Sequence, residues 1–190
     1  MINRRRTLSE EVDRIKYLSG MINESEGNML NESDAHLQAG TGLLLKVDDS
    51  VKSALETYEI PDEEHDEEMT RLPKDKMHLT LTSIAGFKGV QDKKGFEELD
   101  IEIPKVVLGD AKFVYRGDDR EDRRYLSGGK TAYVVAVKNQ DELKKYVDAL
   151  YDAMEINNPE PDRFFHITIA NNAGGNSFDS IGNVEEEDFK

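Results

Sequence analysis

Apolar side chains recur along this chain with two periods, near 3.6 and near 2, and the switches between them divide the sequence into elements. Leu8, Val12, Ile15, Leu18 and Ile22 repeat at helical spacing behind a Thr7/Glu10 capping pair, which predicts an amphipathic helix over 7–22. Residues 23–39, rich in Asn, Glu, Ser and Gly and without period, predict a flexible linker, so 1–39 reads as helix plus linker and 40–190 as the globular domain. Leu43 to Val47 is a strand-like run, and Asp48-Asp49-Ser50 caps a helix carrying Val51, Ala54, Leu55 and Tyr58. After an acidic stretch, Met77 to Thr82 alternates in strand fashion, and a loop with Gly86, Gly89 and Gly95 follows. Ile101–Leu108, Lys112–Tyr115 and Ala132–Val137 predict neighbouring antiparallel strands. Asn139 with Glu142 caps a second helix that carries Leu143, Tyr146, Val147, Leu150 and Met154, and Phe164–Ala170 is the last strand. The order predicts an α+β fold with helices packed on antiparallel sheet, and its two similar halves suggest an internal duplication.

Composition narrows the function classes. The 190 residues fit one domain and a tail, and 37% apolar with 34% charged residues allows a core under a heavily solvated surface. No run reaches the roughly 18 to 20 apolar residues of a membrane span, and the Arg4-Arg5-Arg6 start lacks a secretory apolar stretch, so a cytoplasmic monomer is expected. The absence of cysteine excludes disulfides, thiolate metal sites and thiol nucleophiles. A net charge of −15 disfavours bulk duplex nucleic acid, because that affinity comes from Lys and Arg displacing counterions, and points to a small nucleotide or an RNA end instead.

The chemistry concentrates in two short runs, Met77-His78-Leu79-Thr80-Leu81 and Phe165-His166-Ile167-Thr168-Ile169, which hold two of the four histidines. Strand alternation puts His78, Thr80 and Thr82 on one face with Met77, Leu79 and Leu81 on the other; it likewise groups His166, Thr168 and Ala170 against Phe165, Ile167 and Ile169. Histidine and threonine then lie roughly 7 Å apart on one face, close enough to touch different oxygens of one phosphate. Cleaving a phosphodiester needs one group to take a proton and another to give one, and imidazole does either near neutral pH. His78 and His166 are therefore the candidate acid and base, in unassigned order, with the Thr80 and Thr168 hydroxyls donating to non-bridging oxygens and no metal or cofactor required.

These paired H-x-T-x strands, each preceded by a strand-helix unit, resemble the 2H phosphoesterase superfamily over about Gly40 to Ala170. The family's motif positions fall on His78, Thr80, His166 and Thr168. The resemblance implies a bilobal, pseudo-symmetric fold around a cleft, and metal-independent action on cyclic phosphates or 2′–5′ linkages. Members include RNA 2′,5′-ligase-like proteins, cyclic nucleotide phosphodiesterases, 2′,5′-oligoadenylate phosphodiesterases and phage enzymes that degrade cyclic dinucleotides. It does not select among them, and ligation in the reverse direction falls within the family's range. Rival readings are a nucleotide- or RNA-binding module without turnover, and a phage virion-associated protein.

Other residues carry weaker signals. Arg116, Arg120, Arg123, Arg124, Tyr125 and Lys130 can clamp a phosphate or stack a base, but Asp118, Asp119, Glu121 and Asp122 interleave with them and favour a self-neutralising loop. Lys76 and Arg163 flank the motif strands as phosphate-steering cations or exposed strand ends. His65 among Asp62, Glu63, Glu64, Asp66, Glu67 and Glu68 has metal-ligand composition without folded spacing. Gly174 and Gly175 mark a turn, and the helix over 7–22 is a candidate docking element for a protein partner.

Overall fold

The computed structural model describes residues 35–61, 69–116, 130–172 and 184–189. The short apolar alternations form strands β1 (His36–Ala39), β2 (Leu43–Lys46), β3 (Thr70–Arg71), β4 (Leu79–Thr82), β5 (Leu108–Arg116), β6 (Lys130–Val137) and β7 (His166–Asn171). Helices α1 (Asp49–Glu56), α2 (Ile84–Phe87), α3 (Gly95–Glu98) and α4 (Gln140–Ala153) lie between them. The strands make two antiparallel sheets, ordered β1-β2-β4 and β3-β7-β6-β5, so the fold is α+β as expected.

The capped helices form for identifiable reasons. Asp48 accepts from Val51 N at 2.8 Å and starts α1, whose Val51 and Leu55 are buried. In α4 Leu143, Tyr146, Val147 and Leu150 of the expected stripe are buried, and Tyr151 is buried in place of Met154, which is half-buried. Asn139 precedes α4 but does not cap it: its amide Nδ2 donates to Lys105 O at 2.9 Å and to Glu142 Oε2 at 2.7 Å, and its Oδ1 accepts from Val107 N at 3.0 Å. That side chain satisfies the backbone of 105–107 in place of a ladder, which is why the strand expected over Ile101–Leu108 is absent before Leu108. Residues 36–39, read from sequence as linker, pair instead with β2, His36 opposite Lys46 and Ala39 opposite Leu43.

Each sheet contains the same connection. β2 feeds α1 and pairs antiparallel with β4, and β6 feeds α4 and pairs antiparallel with β7. The two ladders also slip at the same place. Leu44 faces Thr80 but Leu43 faces Thr82, and Val134 faces Thr168 but Tyr133 faces Ala170, so one extra residue, Leu81 or Ile169, follows each motif threonine. A bulge of this kind turns two successive side chains to one side. Thr82 and Ala170 accordingly leave the histidine faces assigned to them by simple alternation and enter the interior, both fully buried, Thr82 accepting from Tyr151 Oη at 3.0 Å. Asn171, opposite Ala132, takes up the phase that Ala170 leaves. Gly42 is needed at the first slip, since a Cβ there would stand 2.9 Å from Thr82 O.

The sheets share one core, in which Leu43, Leu45, Met77, Leu79 and Leu81 pack with Val135, Val137, Phe165, Ile167 and Ile169. A polar tie joins them outside it. Arg163, on the segment before β7, donates from Nε to Thr80 O at 3.0 Å and from Nη1 to Glu160 Oε2 at 2.9 Å. Glu160 accepts in turn from Ser83 N at 2.8 Å and from Ser83 Oγ. Burial alone would raise the Glu160 carboxyl, but the Ser83 donors and the Arg163 charge outweigh it and hold the group below the usual range.

Breaking this tie strands a charge. With the Arg163 side chain only 9% exposed, Glu160→Ala or Arg163→Met alone costs roughly 3 kcal/mol in urea unfolding, and the double apolar replacement Glu160→Leu/Arg163→Met costs less than the sum of the two singles. Strict additivity in that cycle would show that the two residues do not act as a pair.

Candidate functional site

Each motif histidine is positioned by its strand, His78 immediately before β4 and His166 as the first residue of β7. Met77, Leu79 and Leu81 are at most 1% exposed, which fixes the phase of β4 and turns His78 and Thr80, both half-buried, to the opposite face. Phe165, Ile167 and Ile169 do the same for β7, leaving Thr168 half-buried and His166 at 7% exposure on the other side. Cα atoms of β4 and β7 come within 8 Å of one another. Because both sheets turn their apolar faces into one core, the histidine-bearing faces lie on the side away from it.

The two rings are oriented by the same device. His78 Nδ1 donates to Lys76 O at 2.8 Å, and His166 Nδ1 lies 3.3 Å from Phe164 O, in each case the carbonyl two residues back. A carbonyl can only accept, so the hydrogen of the neutral ring is on Nδ1 and its lone pair on Nε2. Each Nε2 can then take a proton as a base or, once charged, give one as an acid. Burial lowers the His78 pKa below its ordinary 6.5; the bond to Lys76 O opposes this, and the Lys46 ammonium adds to the lowering.

Arg163 is neither a phosphate-steering cation nor an exposed strand end: it is buried in the tie to Glu160 and Thr80. Lys76 is exposed and pairs with Asp75 at 3.4 Å. The clusters at 117–129, at 62–68 and at 173–176, with the helix over 7–22, lie outside the described residues. Among the described residues no three of His, Asp and Glu are grouped to hold a metal ion, and no helix is long and apolar enough to cross a membrane.

Two features were not read from sequence. The first is Lys46. It follows Leu45, whose partner Leu79 follows His78, its charge acts on the His78 ring, and His36 pairs with it on β1. The second is a cover on the His166 face, where Val184 and the half-buried Phe164 and Phe189 pack with Val114, Ala132 and Val134, the rings of Phe164 and Phe189 being 5.4 Å apart. The outward phase of Lys46 was visible in Leu43–Val47, but its neighbour across the sheet is set by strand order, which periodicity does not encode. No protein-family model, curated protein or solved structure matches the chain.

The His78 environment makes stability depend on pH. Above about 6.5 the ring is neutral folded or unfolded; below it the unfolded chain binds a proton first, so stability falls as pH falls toward the lower folded value. Between pH 7.5 and 5.5 the urea midpoint of the wild type should fall more than that of His78→Gln. Equal falls would mean that the ring is not desolvated in the folded state.

Proposed function

We propose that the chain is a phosphodiesterase of the 2H phosphoesterase type, with a bilobal cleft between its two histidine-threonine strands. It cleaves a cyclic phosphate or a 2′–5′ or 3′–5′ phosphodiester in a small nucleotide or an RNA end. The observation that carries this reading is the repeated local build. In both sheets a strand-helix unit leads to an antiparallel strand with histidine at or just before its first residue, a threonine two residues on and then a bulge, and both imidazoles donate from Nδ1 to the carbonyl two residues back. Two rings with Nε2 presented alike can serve as a base and acid pair. The base takes a proton from the attacking hydroxyl or water and the acid gives one to the leaving oxygen, while the Thr80 and Thr168 hydroxyls donate to the non-bridging oxygens. Those groups account for both proton transfers and for the oxygen charge, so the mechanism needs no metal ion. The approach of β4 and β7, with Cα atoms within 8 Å of one another, supports this reading.

The test is turnover in chelator of a panel of 2′,3′-cyclic nucleotides, 2′–5′ oligoadenylate and cyclic dinucleotides. His78→Ala and His166→Ala should each lower kcat by on the order of a hundredfold to ten-thousandfold, Thr80→Ala and Thr168→Ala less, and the wild-type rate should be bell-shaped in pH. Full activity in either histidine variant removes that residue from the mechanism. The His166 exposure of 7% favours one alternative, a nucleotide-binding module without turnover, for which the panel would give tight binding and no product.

A further inference from the structure

The two faces that carry the motif histidines differ in character. Around His78 the face is polar: Lys46 lies one residue beyond the Leu45–Leu79 pair on β2, and on β1 His36 pairs with Lys46 and Gln38 with Leu44, both β1 side chains exposed. Around His166 the corresponding positions are apolar, with Ala136 opposite the histidine and Val134 opposite Thr168, and the Val184–Phe189 segment lies over part of that face. The asymmetry breaks the equivalence of the two histidines.

Lys46 is half-buried on that face. The chain carries 40 acidic side chains against 25 Lys and Arg, and nearby lysines find carboxylates: Lys52 with Asp49 at 3.3 Å, Lys74 with Glu56 at 3.6 Å, Lys76 with Asp75 at 3.4 Å. Lys46 forms no ion pair among the described residues, although it is half-buried beside a histidine whose charged form it disfavours. A lysine so placed costs stability when His78 is protonated and offsets nothing until an anion arrives.

We infer that Lys46 is a substrate-binding residue that takes a non-bridging oxygen of the scissile phosphate on the β2–β4 side, and that this makes His78 the base and His166 the acid. The assignment rests on the phosphodiesterase reading and completes its proton balance. His78 Nε2 removes the proton of the attacking hydroxyl or water as the new P–O bond forms, and His166 Nε2–H protonates the oxygen that leaves as the old one breaks. The other cations near His78 are already engaged, Lys76 by Asp75 and Arg163 by Glu160, so Lys46 supplies the local field; His36, beyond Lys46, is the further titratable group on that face. Burial keeps the resting His78 ring neutral near pH 7, as a base must be, and Lys46 reinforces it.

The experiment is Lys46→Gln in the full chain, read two ways. In turnover of a 2′,3′-cyclic nucleotide, KM should rise on the order of tenfold to a hundredfold, and the acidic limb of the pH profile should move to higher pH because the charge that disfavours protonated His78 is gone. Independently of turnover, the His78 ring proton signals followed by NMR, assigned with His78→Gln, should titrate at higher pH in Lys46→Gln, and inorganic phosphate should perturb them less than in the wild type. Lys46→Arg should restore phosphate binding in part. An unchanged KM and acidic limb in an active protein overturns the inference while leaving the phosphodiesterase reading intact. If the wild type turns over nothing, the phosphodiesterase reading fails, and equal phosphate perturbation in wild type and Lys46→Gln would overturn the Lys46 site as well.

Discussion

The relative placement of the two histidine-threonine strands depends on one guanidinium. Arg163 reaches from the segment before β7 to the backbone of Thr80, and Glu160 beside it takes both the amide and the hydroxyl of Ser83 at the end of β4. The hydrophobic core could hold two sheets together in many slightly different settings, because burial is non-directional. Charge-assisted hydrogen bonds are directional and short, so they select one setting. Arg163, which from sequence flanked the motif strand, thus ties the segment before β7 to the Thr80 backbone.

The second constraint is the pair of bulges. Perfect alternation would carry Thr82 and Ala170 onto the faces that bear the histidines. The extra residue after each motif threonine interrupts the run of outward side chains after one imidazole and one hydroxyl and sends Thr82 and Ala170 to the core. Tyr151 gives Thr82 a partner in the interior, which removes the penalty of burying its hydroxyl. That the slip recurs at the same offset from His78 and His166 ties the halves more closely than their shared element order does, since a bulge site follows from backbone detail.

Much of this was legible in the chain itself. The apolar phases of Met77–Leu81 and Phe165–Ile169 are strong because both strands are buried on one side, and the α1 and α4 stripes follow from helical period. What periodicity missed has physical causes. The bulges are invisible to it because Leu81 and Ile169 are apolar in either register. The strand 36–39 hid in a polar segment because an edge strand with two exposed side chains needs few apolar residues. Asn139 looked like a helix cap, as its residue type favours, but the long-range Val107 N–H took its side-chain carbonyl. Arg163 looked exposed because a lone arginine carries no sign of the carboxylate that buries it.

The two histidines sit in like backbone settings with unlike neighbours. A two-histidine mechanism needs one imidazole neutral and one charged at the same pH, and two identical environments would titrate together and populate that mixed state poorly. Symmetry in backbone and asymmetry in neighbours answer different demands. The common bulge and the common Nδ1 bond to the carbonyl two residues back make both rings present Nε2 alike. The lysine on one face and the apolar cover of Val184, Phe164 and Phe189 on the other make them chemically distinct. The same cover that distinguishes His166 leaves it 7% exposed, so access to that ring, rather than its intrinsic basicity, is where the second half of the site differs most from the first.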